Sequence, residues 1–215
     1  LRFLFKWDSP WGNILWMTVM AIIASHTAVS RTSLKRRVLF LPVFVGFLVT
    51  VLLVAVYFLG VVMGLEDVFA ARYFIPVVGL LFGNMLTVNI MAVNVYYSEL
   101  YREQQTYYYL LGNGATRFEA QLPFLRSAVI KSFSPCIANM AVLGIVSFPG
   151  TMIGQILGGS MPELAIKYQL MISVITVVSS MISLVITIAL SSRQTFDEYG
   201  RLLPIFRKDK ATSKA

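Results

Sequence analysis

The chain has 215 residues, of which 57% are hydrophobic and only 13% charged, with a mean hydropathy of +0.74. An ordinary soluble domain carries about 25% charged residues, so this composition excludes a water-soluble globule, which has nowhere to bury so much apolar side chain. The excess charge is basic, 18 Lys and Arg against 10 Asp and Glu, but it falls between apolar runs and gathers on no polar domain, which excludes a nucleic-acid-binding face.

A membrane crossing takes about 20 apolar residues, because the hydrocarbon layer is about 30 Å thick and offers no partner to a free backbone amide. Five stretches of this chain qualify. The sequence opens at Leu1 without an initiator Met or a signal-peptide pattern, and further helices are expected ahead of it. The first run, residues 13–30, is the shortest, and the lone His26 near its inner end reads as an interfacial hydrogen-bonding residue. Arg31, Lys35, Arg36 and Arg37 follow, and basic residues stay on the cytoplasmic side.

The second run, 38–64, contains no Asp, Glu, Lys or Arg. The loop behind it holds Glu66, Asp67 and Arg72 and is expected outside. The third run, 73–98, is also uncharged, and within it Asn84, Thr87, Met91 and Asn94 recur every three or four residues on one helical face. Amides in a membrane helix are costly and tend to face a bundle interior, so this face is a candidate pathway, or else a hydrogen-bonded packing seam.

Residues 99–131 are too polar to span and too long for a turn; with Arg102, Arg117, Arg126 and Lys131 they are expected inside. A helix extending from the membrane should end at Gly112-Asn113-Gly114. Thr116 can then cap a short second helix, with Glu119 in the third position as in a capping box.

The fourth run, 132–162, is uncharged but broken by Pro149, Gly150, Gly154, Gly158 and Gly159. A span to about Phe148 followed by an irregular or re-entrant segment is expected, with Pro149, Gly150, Met152, Gly154, Gln155, Gly158 and Gly159 as a candidate gate or subunit contact. The fifth run, 168–192, leads into a basic tail, 193–215, that is expected inside. Cys136 is the one cysteine, which rules out an intrachain disulfide or a cysteine-based metal cluster. The fold class is thus all-α, a polytopic bundle of five spans in one domain, with a multi-pass location in the cell membrane and its lipid.

Several words of this sequence resemble those of the iron-export ABC permeases, a family that includes plant aluminium-tolerance permeases. GATRFEA, then IVSFPGTMIGQILGG, then PELAIKYQLMI follow the family's order from Gly114 to Ile172, and IPVVGLLFGN near Asn84 is similar more loosely. Gly144, Val146, Ser147, Pro162, Ala165, Tyr168 and Gln169 fall on matching positions, whereas Thr151, Ile153 and Met161 depart from the family's usual Met, small hydroxyl and Asp.

The resemblance implies about seven helices in a full member, two permease copies, and a separate ATP-binding subunit that hydrolyses ATP to drive export of a metal ion such as iron. It also makes Gly114, Ala115, Thr116, Glu119 and Ala120 part of a coupling helix. No phosphate-binding G-x-x-x-x-G-K-[ST] word, cofactor motif or catalytic constellation occurs in the chain, which reads as a transport subunit and not an enzyme. The rival readings are a membrane scaffold or assembly subunit, which needs no ATPase, and an ion-gradient transporter, which usually shows an ionisable residue in mid-membrane.

Overall fold

The computed structural model describes residues 10–64, 67–143, 145, 148–197 and 201–203. Seven α-helices occur among them: α1 (Pro10–Arg31), α2 (Arg36–Tyr57), α3 (Ala71–Arg102), α4 (Gln104–Gly112), α5 (Arg117–Ala141), α6 (Gly150–Leu157) and α7 (Pro162–Thr195). A wider turn, Phe58–Val62, prolongs α2 and closes with Met63 N–H on Phe58 O at 2.9 Å. Glu66, Gly144, Val146, Ser147 and the tail's Arg207, Lys208, Lys210 and Lys214 lie outside the described residues.

Four helices are long and apolar enough to cross a membrane: α1, α2 with its wider turn, α3 and α7. They match the first, second, third and fifth apolar runs. The fourth run requires a correction, because residues 132–141 are the last turns of α5 and not a separate span reaching Phe148. At 1.5 Å per residue its 25 residues extend about 37 Å, but Arg117, Glu119, Arg126 and Lys131 keep it from being apolar throughout. The helix stays continuous because Ala120, Phe124, Ala128 and Ser132, spaced by four, form one unbroken buried seam.

Packing inverts the usual amphipathic logic. The buried face of α7 between Thr176 and Thr195 is mostly hydroxyl-bearing, with Thr176, Ser179, Ser180, Ser183, Thr187, Ser191 and Thr195 beside Leu184 and Ile188, while Val174, Val178, Met181 and Val185 point outward. Lipid tails are as apolar as Val, so no hydrophobic force drives such helices together; small side chains do, by letting backbones approach. Opposite Thr187, Gly46 of α2 lies so close that an added Cβ would sit 2.6 Å from Thr187 Oγ1. Several of the hydroxyls are met within the helix, Ser180 Oγ–H donating to Thr176 O at 2.7 Å and Thr195 Oγ1–H to Ser191 O at 2.9 Å, whereas the buried Thr187 Oγ1 has no partner among the described residues. Around this seam α3 packs on α1, α5 and α7, and α2 on α1 and α7.

Candidate functional site

The region expected to be irregular becomes a short helix on a hinge. Pro149 precedes α6, whose eight residues end at Leu157 and are capped by Gly158, and Gly159 (φ +94°) turns the chain into α7. Its position is fixed by Thr151 Oγ1–H donating to Gln169 Oε1 on α7 at 2.6 Å and by the fully buried Met152.

Between α6, α7, α3 and the end of α5 lies a cleft of 550 Å³. Its polar lining comes from every wall: Asn84 from α3, Cys136, Asn139 and Met140 from α5, Thr151 from α6, and Gln169, Ser173 and Thr176 from α7. A second cavity of 370 Å³ shares Leu80, Thr151 and Ile172 with it and adds Gly154 and Gln155; a third of 290 Å³ shares Gln155 and ends at Arg72 and Tyr168. Their shared lining residues set the three side by side in a crevice that follows α3 from Asn84 to Arg72. Amide, hydroxyl and sulfur groups convergent in a mostly apolar cavity are what a small-molecule site needs.

The structure thus joins Asn84 of the candidate pathway to Pro149, Gly150, Gly154 and Gln155 of the candidate gate. It does not gather the rest. Thr87 and Met91 face outward, and Asn94 Oδ1 accepts from Ser33 N–H at 3.1 Å, tying α3 to the loop after α1. Gly158 and Gly159 serve the turn into α7. Asn89, off the face of Asn84 and Thr87, is buried and donates through Nδ2 to Ser183 Oγ at 3.2 Å. Asn139 and Met140 join the site as well, and their signal in the sequence is their spacing of three and four residues from Cys136. Among the described residues no three His, Cys, Asp or Glu gather at a metal-ligating spacing.

A second feature stands at the far end of α3. Gly114 (φ +88°) allows the chain to double back, with Ala115 N–H donating to Leu110 O at 3.1 Å. Thr116 then starts α5 with the expected box: its Oγ1 accepts from Glu119 N–H at 3.3 Å, and Glu119 Oε2 accepts from Thr116 N–H at 2.7 Å. The hydrogen bonds from the backbone and side chain of Thr116 hold the Glu119 carboxyl below its ordinary range. Ala115 is half-buried and Ala120 fully buried, so Ala120 anchors the helix, while Phe118 and Leu122 are exposed, as is Tyr109 before the turn. Behind them, Tyr96 O–H donates to Gln121 Oε1 at 3.0 Å, and Glu99 accepts from Ser127 at 3.0 Å and pairs with Lys131. The turn is therefore fixed to α3 and carries an exposed apolar tip.

Comparison with known proteins agrees with this architecture. The family model described as "Uncharacterised protein family (UPF0014)" matches residues 1–196. UPF0014 membrane protein slr1647 of Synechocystis is 27% identical over 203 residues, 94% of this chain and 78% of its own. "Protein ALUMINUM SENSITIVE 3" of Arabidopsis thaliana is 30% identical over 175 residues, covering 80% and 62%. "Probable iron export permease protein FetB" of Escherichia coli is 29% identical over 136 residues, covering 63% and 52%. No solved structure matches.

Proposed function

The chain belongs to the UPF0014 family of membrane proteins, and from that premise we propose that it is the permease subunit of an ABC transporter, exporting a metal ion such as iron. The observation that carries the proposal is the capped turn at residues 112–122. A helix start held by a capping box, seated on α3 and presenting Phe118 and Leu122 outward, is a rigid handle for a second protein. A separate ATP-binding subunit docks there, on the cytoplasmic face. When it moves, the ties from Gln121 to Tyr96 and from Ser127 and Lys131 to Glu99 carry the displacement into α3, which forms one wall of the cleft.

The permease works as a pair. At the depth of the cleft, Asn139 and Ser134 of α5 and Asn84 and Thr87 of α3 are exposed, and Gly150 and Gly154 have open space beyond them. Polar groups facing hydrocarbon are costly. A second copy of the chain covers them, so that two clefts meet and the 149–159 segments gate the path between them. Met152, whose side chain is interior, supports the 149–159 segment from behind and does not touch the second copy.

The test is co-expression with an ATP-binding cassette subunit and reconstitution of the complex in liposomes. Stable association and iron-stimulated ATP hydrolysis that Phe118→Asp eliminates are expected. A permease that inserts normally yet binds no ATPase would contradict the proposal and favour the scaffold reading.

A further inference from the structure

We infer that the cleft takes its metal wrapped in a ligand shell of little or no net charge, and not as a bare cation. The inference rests on the metal-export reading above and specifies the chemical form of the substrate.

The first observation is the lining. The runs that build the cleft, residues 73–98, 132–162 and 168–192, contain no Asp, Glu, Lys, Arg or His. A second copy of the chain brings the same neutral walls, so dimerisation adds no carboxylate. A bare divalent or trivalent ion entering such a site surrenders its hydration, a cost that rises with the square of its charge, and meets no opposite charge to offset it. Beside one thiol and one thioether per chain, Cys136 and Met140, both neutral, the cleft offers hydrogen bonding: Asn84, Asn139, Gln169, Ser173 and Thr176 supply amides and hydroxyls suited to the oxygen-rich surface of a complex.

Size is the second. A bare ion is held by a cage of its own dimensions, whereas 550 Å³ accommodates well over ten waters at roughly 30 Å³ each. That volume lies within the range of small-molecule sites, about 300–1,000 Å³. The third observation is the far end of the crevice, where Arg72 lines the wall with its guanidinium 5.7 Å from the Tyr73 ring. Arginine keeps its charge at any working pH. Asp67, the described acid of that loop, turns onto its own backbone and accepts from Phe69 N–H at 3.1 Å. A bare cation leaving along this path passes a fixed positive charge, while a neutral complex finds a donor.

The experiment uses the full chain reconstituted with its ATP-binding subunit, in anaerobic non-coordinating buffer. Ferrous ion alone is compared with tris(acetohydroxamato)iron(III), a neutral hydrophilic complex, by equilibrium dialysis of radioactive iron and by ATP hydrolysis. The neutral complex should bind saturably and stimulate hydrolysis, and ferrous ion alone should do neither. Asn139→Leu, at a position exposed in the single chain, should weaken binding of the complex by roughly 2- to 10-fold while the pair stays intact in light scattering. Stimulation by ferrous ion alone at equal or lower concentration overturns the inference and leaves metal export standing. If the complex assembles but neither form of iron binds, both the inference and the metal assignment fall.

Discussion

Gly46→Ala probes the contact that sets the position of α7. The added methyl would lie 2.6 Å from Thr187 Oγ1 and 3.3 Å from the Ser183 carbonyl oxygen. Ordinary contact begins near 3.4 Å, so the first overlap is about 0.8 Å, and Thr187 has no exposed surface into which to turn. The second neighbour is backbone and moves only with the helix. Overpacking by one methyl costs about 1–3 kcal/mol, and the better helix propensity of alanine returns about 1 kcal/mol. A net loss of about 1 kcal/mol is expected, read as a lower Tm in thermal unfolding of the detergent-solubilised protein followed by tryptophan fluorescence. Thr187→Ala in the same background removes the colliding hydroxyl and should restore the midpoint. A rise in Tm from Gly46→Ala alone would refute the close approach of α2 and α7.

Three further outcomes follow from other contacts. A Cβ added at Gly154 meets nothing within 4 Å in the single chain, so Gly154→Leu should leave monomer stability unchanged while reducing dimer in light scattering and lowering transport; undiminished dimer and flux would remove α6 from the subunit contact. Tyr97→Phe loses bonds to Ser191 at 2.8 Å and Thr195 at 3.2 Å, but both hydroxyls retain carbonyls of their own helix, so the cost should stay near 1 kcal/mol in chemical denaturation. Because the Glu119 carboxyl titrates below its ordinary value, 4.5, the capping box contributes fully above that value and is lost as pH falls through the lower, folded-state value. Hydrogen exchange at the Glu119 amide should accelerate across that acid range, and a flat profile would show that the ionised carboxylate does not hold the turn.

What the sequence made legible was local. Thr116 and Glu119 lie three residues apart, and Gly114 takes a conformation that glycine alone adopts readily, so the capped turn could be read from a few adjacent letters. Long uncharged runs gave four spans within a few residues of their ends. The continuity of α5 escaped, because charge at Arg126 and Lys131 suggested a break while the buried seam from Ala120 to Ser132 ran through it. The face of α7 was illegible for another reason: serine and threonine turn inward there, the reverse of the pattern that periodicity seeks in water. The cleft draws on four helices distant in sequence, and Asn84 could be found only as one member of a stripe of which it alone lines the cleft.

Docking of an ATP-binding subunit on the capped turn is tested most directly by cross-linking. Cys136 is the single cysteine, so Cys136→Ser gives a thiol-free chain into which Phe118→Cys or Val185→Cys introduces one thiol. Both positions are exposed, Phe118 at the tip of the turn and Val185 on the outward face of α7. A short thiol-to-amine cross-linker should join the Phe118→Cys chain to the co-expressed ATP-binding subunit and leave the Val185→Cys chain unlinked. No product from position 118, or equal product from both, would contradict the account.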